Sequence, residues 1–134
     1  MSLIIVESPT KARTFNRLLK DQDYFVYATV GHFRDLPRKK IAIDFSNNFK
    51  PEYSIMEKKQ NVTEKLLDLL KDNKEIILAT DPDREGEAIA YHAAYILGFI
   101  NESWPNIEFK QVKNKSLKRI VFHEITQKAI ENAL

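Results

Sequence analysis

The chain of 134 residues has no cysteine, which excludes disulfide bonds and thiolate metal sites. No apolar run approaches the roughly 20 residues that a membrane helix needs. The first residues lack the charged and apolar regions of a secretory signal, and no repeat or low-complexity linker interrupts the chain. We therefore expect a single domain over residues 1–134, with no membrane partner. A cytoplasmic location is compatible with these absences and is the expected one.

The remaining composition is that of an ordinary soluble globular protein, with 43% apolar and 30% charged residues. The length suffices for one hydrophobic core. A formal net charge of +2 neither demands nor excludes a nucleic-acid partner. Composition alone thus leaves the function open, and the motifs have to decide it.

Four carboxylates fall within the seven residues that begin at Asp81, and they follow directly on the apolar run 76–79. The other three are Asp83, Glu85 and Glu87. Such close like charges repel each other, and a divalent cation relieves the repulsion. Mg²⁺ prefers one or two carboxylates together with waters and substrate phosphates. A plainer alternative makes Glu85 and Glu87 first-turn acids that stabilise a helix N-terminus.

Strand-like and helix-like segments alternate along the chain. Strands are predicted at 3–6, 24–30, 76–79 and 118–122, and the continuous apolar run 3–6 indicates a strand buried on both faces. Helices are predicted with Ser8 as N-cap and Pro9 as first residue, at 57–71, at 84–97 and after Thr126. In the second helix, four apolar side chains are expected to face the core, namely Val62, Leu66, Leu67 and Leu70. The segment 110–118 is expected to be a loop or hairpin insertion. This alternation predicts the α/β class, with a mainly parallel sheet and helices on both faces.

Acidic residues stand at the ends of two predicted strands. Glu7 follows the first strand, and Asp81 with Asp83 follow the third. Ligands of open α/β sheets bind at the carboxyl ends of the strands. If these two strands are neighbours, the three carboxylates converge on one crevice, which favours a metal site there.

Four segments carry a family resemblance, in the order Ile-Val-Glu-Ser-Pro-Thr-Lys-Ala (5–12), Val-Gly-His-Phe-Arg-Asp-Leu-Pro (30–37), Ala-Thr-Asp-Pro-Asp-Arg-Glu-Gly-Glu-Ala-Ile-Ala (79–90) and Val-Phe-His-Glu-Ile-Thr (121–126). Together they resemble the Toprim domain of bacterial type IA DNA topoisomerases, in the topoisomerase I branch. The resemblance covers nearly the whole chain. It implies a Rossmann-like four-stranded parallel sheet and Mg²⁺-dependent relaxation of negatively supercoiled DNA by cutting, passage and resealing.

The resemblance also implies roles for individual acids and for one lysine. Glu7 acts at the scissile phosphate, in proton transfer with the leaving 3′ oxygen, and belongs with the metal ligands. Asp81, Asp83 and Glu85 correspond to the acidic cluster that binds Mg²⁺. Lys11 matches the lysine that contacts the scissile phosphate. The alternative for Lys11 is a solvated side chain on a polar helix face, because most lysines are exposed.

Three further residues are candidates for contact with DNA. His32 matches a family histidine near the active site, although it could be a loop histidine bonded to backbone. Arg34 lies in a loop that is close to DNA in the family, and its alternative is a surface ion pair with Asp35. Arg84 is either structural or faces a phosphate.

The resemblance also implies parts that this chain does not contain. In the family the nucleophilic tyrosine lies in a gate domain after the Toprim domain, whereas this sequence ends at Leu134. We therefore expect the N-terminal part of a larger topoisomerase. Its partners are a single-stranded DNA segment and the rest of the topoisomerase chain, and alone it does not relax DNA. A stand-alone Toprim nuclease, a primase-type domain and a non-catalytic binding module are the alternatives.

Overall fold

The computed structural model describes residues 2–19, 23–30, 34–35, 43–44, 50–51, 54–55, 60–103, 106–112, 114–122 and 129. His32 lies outside these residues, as does the helix expected after Thr126 except for Ala129, which is helical. The elements, in chain order, are β1 (Ser2–Val6), α1 (Pro9–Leu18), β2 (Tyr24–Ala28), β3 (Arg34–Asp35), β4 (Ile43–Asp44), β5 (Lys50–Pro51), β6 (Ser54–Ile55), α2 (Gln60–Asp72), β7 (Glu75–Leu78), α3 (Arg84–Ile96), β8 (Ile100–Ser103), β9 (Asn106–Phe109) and β10 (Ser116–Arg119).

A four-stranded sheet with the strand order β10-β7-β1-β2 forms the centre of the fold, and all three of its pairings are parallel. The chain first builds outward from β1 to β2, and then returns to the other side of β1 to add β7 and β10. The direction of winding therefore reverses between β1 and β7, and such a switch point is where doubly wound sheets bind ligands. The condition set by the sequence argument, that the first and third predicted strands are neighbours, is met.

The sheet is covered on both faces, as the α/β prediction requires. Along β1 the side chains alternate between the faces, so that Leu3 and Ile5 pack with α2 and α3, whereas Ile4 and Val6 pack with α1. All four of these side chains are fully buried. The uninterrupted apolar run of β1 is thus explained by a strand with no solvent-facing side.

At the β10 edge of the sheet, the predicted bounds of the last strand were wrong. The last central strand is Ser116–Arg119 rather than 118–122, because its ladder partner β7 ends at Leu78. Of the two alternatives for the segment 110–118, the described residues support the loop, with Asn114 at a left-handed φ of 62° shortly before β10 begins. The hairpin of β8 and β9 lies ahead of this segment.

The inner face of α2 also differs from the prediction. Val62, Leu66 and Leu69 are buried, at the spacings of four and three residues that keep them on one helical face. Leu67 is 42% exposed, so its assignment to the core was wrong. Because residues 66–70 contain four leucines, the sequence is consistent with two apolar faces of the helix that differ by one position.

Lys115, which directly precedes β10, caps the C-terminal end of α2. Its Nζ donates hydrogen bonds to the carbonyl oxygens of Leu70 and Asn73, the latter at 2.8 Å. A cation at this end also suits the helix dipole.

We expect Lys115→Met to lower the free energy of unfolding by about 1–2 kcal/mol in urea denaturation. Lys71→Met is the matched control, because Lys71 makes only an exposed 3.7 Å ion pair with Asp68, and a change above about 0.5 kcal/mol there would contradict this account.

Candidate functional site

Two carboxylate-bearing residues meet where the winding of the sheet reverses. Glu7 follows β1, and Asp81 lies three residues beyond the end of β7. Ala79 still donates to the Ile5 carbonyl oxygen at 2.9 Å, so the two chains leave the sheet side by side. The backbone N–H of Asp81 then donates to Oε2 of Glu7 at 3.0 Å. Strand pairing therefore fixes the position of each acid relative to the other.

Lys11 lies between the two acids. Its Nζ is 2.9 Å from Oδ1 of Asp81 and 3.2 Å from Oε1 of Glu7, and the residue is only 6% exposed. The alternative of a solvated lysine is therefore wrong. One ammonium group joins two carboxylates that come from strand ends 74 residues apart in the sequence.

The start of α1 places Lys11 in this position. Ser8 is the N-cap with an extended backbone, and its hydroxyl accepts a hydrogen bond from the N–H of Lys11 at 3.2 Å. Pro9 occupies the first turn, where its missing N–H costs nothing. Both assignments were predicted from the sequence and are confirmed. Because Lys11 stands four residues after Glu7, its side chain reaches back over the helix start to the carboxylate.

The acidic loop, residues 79–86, is held by its own polar groups. Asp83 is the N-cap of α3, and its Oδ1 accepts from the N–H of Gly86 at 2.6 Å. The buried hydroxyl of Thr80 donates to the Gly86 carbonyl oxygen at 2.6 Å. Gly86 is buried against the backbone of Asp81, where a Cβ atom would lie 2.0 Å from the carbonyl oxygen. The loop conformation therefore depends on glycine at position 86.

Arg119 attaches this loop to the end of β10. Its guanidinium donates to the carbonyl oxygens of Leu78 at 3.1 Å and Asp81 at 3.2 Å, and to Oε1 of Glu87. It also donates to the carbonyl oxygen of Ile120. Sequence reasoning missed Arg119. The only available signal was a cation in the last predicted strand, which does not reveal contacts with residues 32 to 41 positions away.

The acids of the cluster do not all converge. Glu7 and Asp81 are brought together, whereas Asp83 caps α3 and Glu85 is an exposed first-turn acid of that helix. In the part of the chain that the structure describes, no three His, Asp or Glu side chains form a group that could hold a metal ion. The pair of Glu7 and Asp81 nevertheless fits Mg²⁺, which takes one or two carboxylates and completes its shell with waters and phosphate oxygens.

The structure gives fewer contacts for the residues that were predicted to touch DNA. Arg84 is exposed at the first position of α3, and Arg34 lies in β3, which pairs with β6. Near the end of β2, Val30 adopts a left-handed φ of 58°, which costs a β-branched residue about 1–2 kcal/mol. This strained residue stands where the chain leaves the sheet toward the segment that contains His32.

A doubly wound parallel sheet with paired acids and a buried lysine at its switch point defines an α/β domain suited to binding a cation or a phosphate. A family profile described as "Toprim domain" matches residues 2–125. The chain belongs to the Toprim domain family.

Among the proteins similar to this chain are two that are named DNA topoisomerase 1 and one solved topoisomerase I structure. The chain is 47% identical over 134 residues to "DNA topoisomerase 1" of Campylobacter jejuni, covering 99% of this chain and 17% of that protein. It is 41% identical to "DNA topoisomerase 1" of Thermotoga maritima, covering 98% and 18%. The structure of full-length topoisomerase I from Thermotoga maritima aligns with a TM-score of 0.79 and 40% identity, over 98% of this chain and 20% of that one. The chain thus spans a fifth or less of the length of these proteins.

Proposed function

We propose that this chain is the N-terminal Toprim domain of a bacterial type IA DNA topoisomerase, and that it forms one domain over residues 1–134. In the complete enzyme it takes part in Mg²⁺-dependent cleavage, passage and religation of a single DNA strand, which relaxes negative supercoils. Its partners are a single-stranded DNA segment and the rest of the topoisomerase chain, in the cytoplasm. The observation that carries this proposal is the convergence of Glu7, Lys11 and Asp81 at the sheet switch point.

Lys11 and Glu7 are assigned to the scissile phosphate. Lys11 has its ammonium in a crevice lined by acids, at the start of a helix whose N–H groups favour anions. A positioned ammonium stabilises the charge that develops on the phosphate oxygens during transesterification. Glu7 holds or delivers the proton at the leaving 3′ oxygen, and its fixed hydrogen bond from Asp81 orients the carboxylate for this task.

Asp81, Asp83 and Glu85 are assigned to the metal, together with Glu7. When bound, Mg²⁺ supplies Lewis-acid stabilisation of the phosphate oxygens. Asp81 is 53% exposed, so its carboxylate is within reach of an entering ion. His32, Arg34 and Arg84 are assigned to contacts with the DNA strand, which neutralise its phosphates.

The assignment of Asp81 is tested in a complete enzyme. This chain replaces the corresponding domain of the Campylobacter jejuni topoisomerase, to which it is 47% identical over 134 residues. We expect Asp81→Asn to lower the rate of plasmid relaxation by about 100-fold, because it removes a charge that positions both Lys11 and the metal. Asp68→Asn, which changes an exposed acid of α2, is the matched control and should leave the rate unchanged. Equal rates for the two variants would contradict the assignment.

The isolated chain separates the proposed function from the nuclease alternative. Supercoiled plasmid incubated with the 134-residue protein and Mg²⁺ should stay supercoiled, because no nucleophile for covalent cleavage is assigned within it. Metal-dependent nicking that disappears in Asp81→Asn would instead favour a stand-alone Toprim nuclease. Relaxation by the isolated chain would contradict the proposal directly.

A further inference from the structure

The space between Glu7 and Asp81 already holds a cation, the ammonium of Lys11. Its distances of 3.2 Å and 2.9 Å to the two carboxylates leave no room for a second positive ion between those oxygens. Lys11 is 6% exposed and Glu7 is 15% exposed, so solvent screens this contact weakly. Asp81 is the more open of the two acids, at 53%.

We propose that Lys11 is an internal counter-ion that occupies the cation position of the resting domain, and that a divalent metal binds there only when Lys11 leaves. This inference rests on the proposed function, because it concerns the same pair of acids. Two like-charged carboxylates at one crevice repel each other unless a cation lies between them. The ammonium therefore keeps the pair assembled, and it lowers the affinity for a metal by competing for the same oxygen atoms.

Binding of a DNA phosphate would draw the ammonium of Lys11 away from the two carboxylates. The ammonium has three donors on a flexible stem, and it exchanges a carboxylate partner for a phosphate oxygen without losing its charge pairing. Its departure frees both carboxylates for the metal. By linkage, phosphate binding then raises metal affinity and metal binding raises phosphate affinity. The domain would thus assemble its complete site only in the presence of the DNA strand.

The affinity for Mn²⁺, measured by the electron paramagnetic resonance of the free ion, tests the competition without any enzymatic assay. We expect Lys11→Met to bind Mn²⁺ about tenfold more tightly than the unaltered 134-residue chain, because the competing ammonium is gone. Arg13→Met is the matched control. It removes one positive charge from the same helix, but Arg13 is exposed and bonds to Thr10, so the affinity should change much less.

The outcomes distinguish this inference from the proposed function. Tighter binding in Lys11→Met alone supports the counter-ion. The counter-ion is overturned if Lys11→Met binds Mn²⁺ no more tightly than the unaltered chain. In that case the assignment of Asp81 to the metal still stands, provided that Asp81→Asn abolishes the Mn²⁺ binding. Equal gains in Lys11→Met and Arg13→Met also overturn the counter-ion, because the effect would then be a general change of field. No Mn²⁺ binding in any of the proteins overturns the counter-ion, because Lys11→Met should then have bound the ion; the proposed function is decided separately by the relaxation rate of Asp81→Asn in the hybrid enzyme.

A second measurement uses the unaltered chain and does not depend on the folding of a variant. Acetic anhydride modifies accessible lysine amines, and peptide mass spectrometry reports the rate at each lysine. We expect slow acetylation of Lys11 in buffer and a several-fold faster rate with saturating Mg²⁺, as the ammonium is released. Lys71, which is 77% exposed, is the internal control and should not respond. A Lys11 rate that Mg²⁺ leaves unchanged, or lowers, would overturn the displacement.

Discussion

Gly86→Ala should be among the most damaging single substitutions in this domain, although it adds only one methyl group. The new Cβ would lie 2.0 Å from the carbonyl oxygen of Asp81, and 2.8 Å and 2.9 Å from its carbonyl carbon and amide nitrogen. All three are backbone atoms, so no side chain can rotate away. We expect the free energy of unfolding to fall by about 3 kcal/mol or more.

A loss of stability in Gly86→Ala is informative, because alanine usually stabilises a helix by about 1 kcal/mol relative to glycine. Helix propensity alone would therefore predict a gain. Relief of the clash requires Asp81 to move, which breaks its N–H bond to Glu7 and withdraws its carboxylate from Lys11. We therefore expect the variant that still folds to lose Mn²⁺ binding as well as stability. Urea denaturation and Mn²⁺ titration measure the two losses separately.

Gly98→Ala is the control for this prediction. Gly98 has a φ of 91°, and its nearest neighbour to an added Cβ is Cγ2 of Val112 at 3.7 Å, so the cost is backbone strain without a collision. We expect about 1 kcal/mol there and no change in Mn²⁺ affinity. If the two substitutions cost the same, the close approach of Gly86 to Asp81 is not what requires glycine.

Arg119→Met is the second substitution with a large expected effect. It removes the donors that join β10 to the carbonyl oxygens of Leu78, Asp81 and Ile120, and it removes the ion pair with Glu87. Part of the loss is offset, because the buried Nε of Arg119 has no hydrogen-bond partner among the described residues and its removal is favourable. We expect a net decrease of about 2–3 kcal/mol in the free energy of unfolding.

The effect of Arg119 on the site should act through the acidic loop. Without the bond to its carbonyl oxygen, Asp81 loses one of the contacts that fix it, and relaxation by the hybrid enzyme should fall by about 10- to 100-fold. Arg119→Lys should recover little, since a single ammonium cannot span the separate acceptors that the guanidinium reaches.

Glu87→Gln separates the ion pair from the backbone contacts. Glu87 is 57% exposed, so this pair is partly screened and its loss should cost less than about 1 kcal/mol. If Glu87→Gln costs as much as Arg119→Met, the bonds to the carbonyl oxygens contribute nothing. The double variant gives the coupling energy between the two side chains.

The family was predictable from the sequence because its signals are local. The apolar run of β1 indicated a strand buried on both faces, and Ser8-Pro9 marked the start of α1, as the structure confirms. The resemblance to the Toprim domain is confirmed by the family match over residues 2–125. No membrane span was expected, and no helix within the described residues has the length and apolar character to form one.

Boundaries and helix faces were predicted less well. Leu67 was placed inward and Leu69 was not, because a run of leucines supports two helical faces and only packing against β7 and α3 selects one. The strand at 118–122 was shifted for a similar reason. Its residues suit a strand, but a strand extends only as far as its ladder partner does, and β7 ends at Leu78.

By itself, the sequence determined the class of fold, the order of the central strands and of the helices between them, and the candidate residues Glu7, Lys11 and Asp81, since periodicity, caps and motifs are carried by neighbouring residues. The tertiary structure alone decided which of the candidate residues meet. Parallel pairing of β1 with β7 brings two acids onto one buried ammonium, and Arg119 reaches the acidic loop from β10. The contacts of Asp81 with Lys11 and with Arg119 join residues 70 and 38 positions apart, and their geometry depends on strand register, which no local pattern encodes.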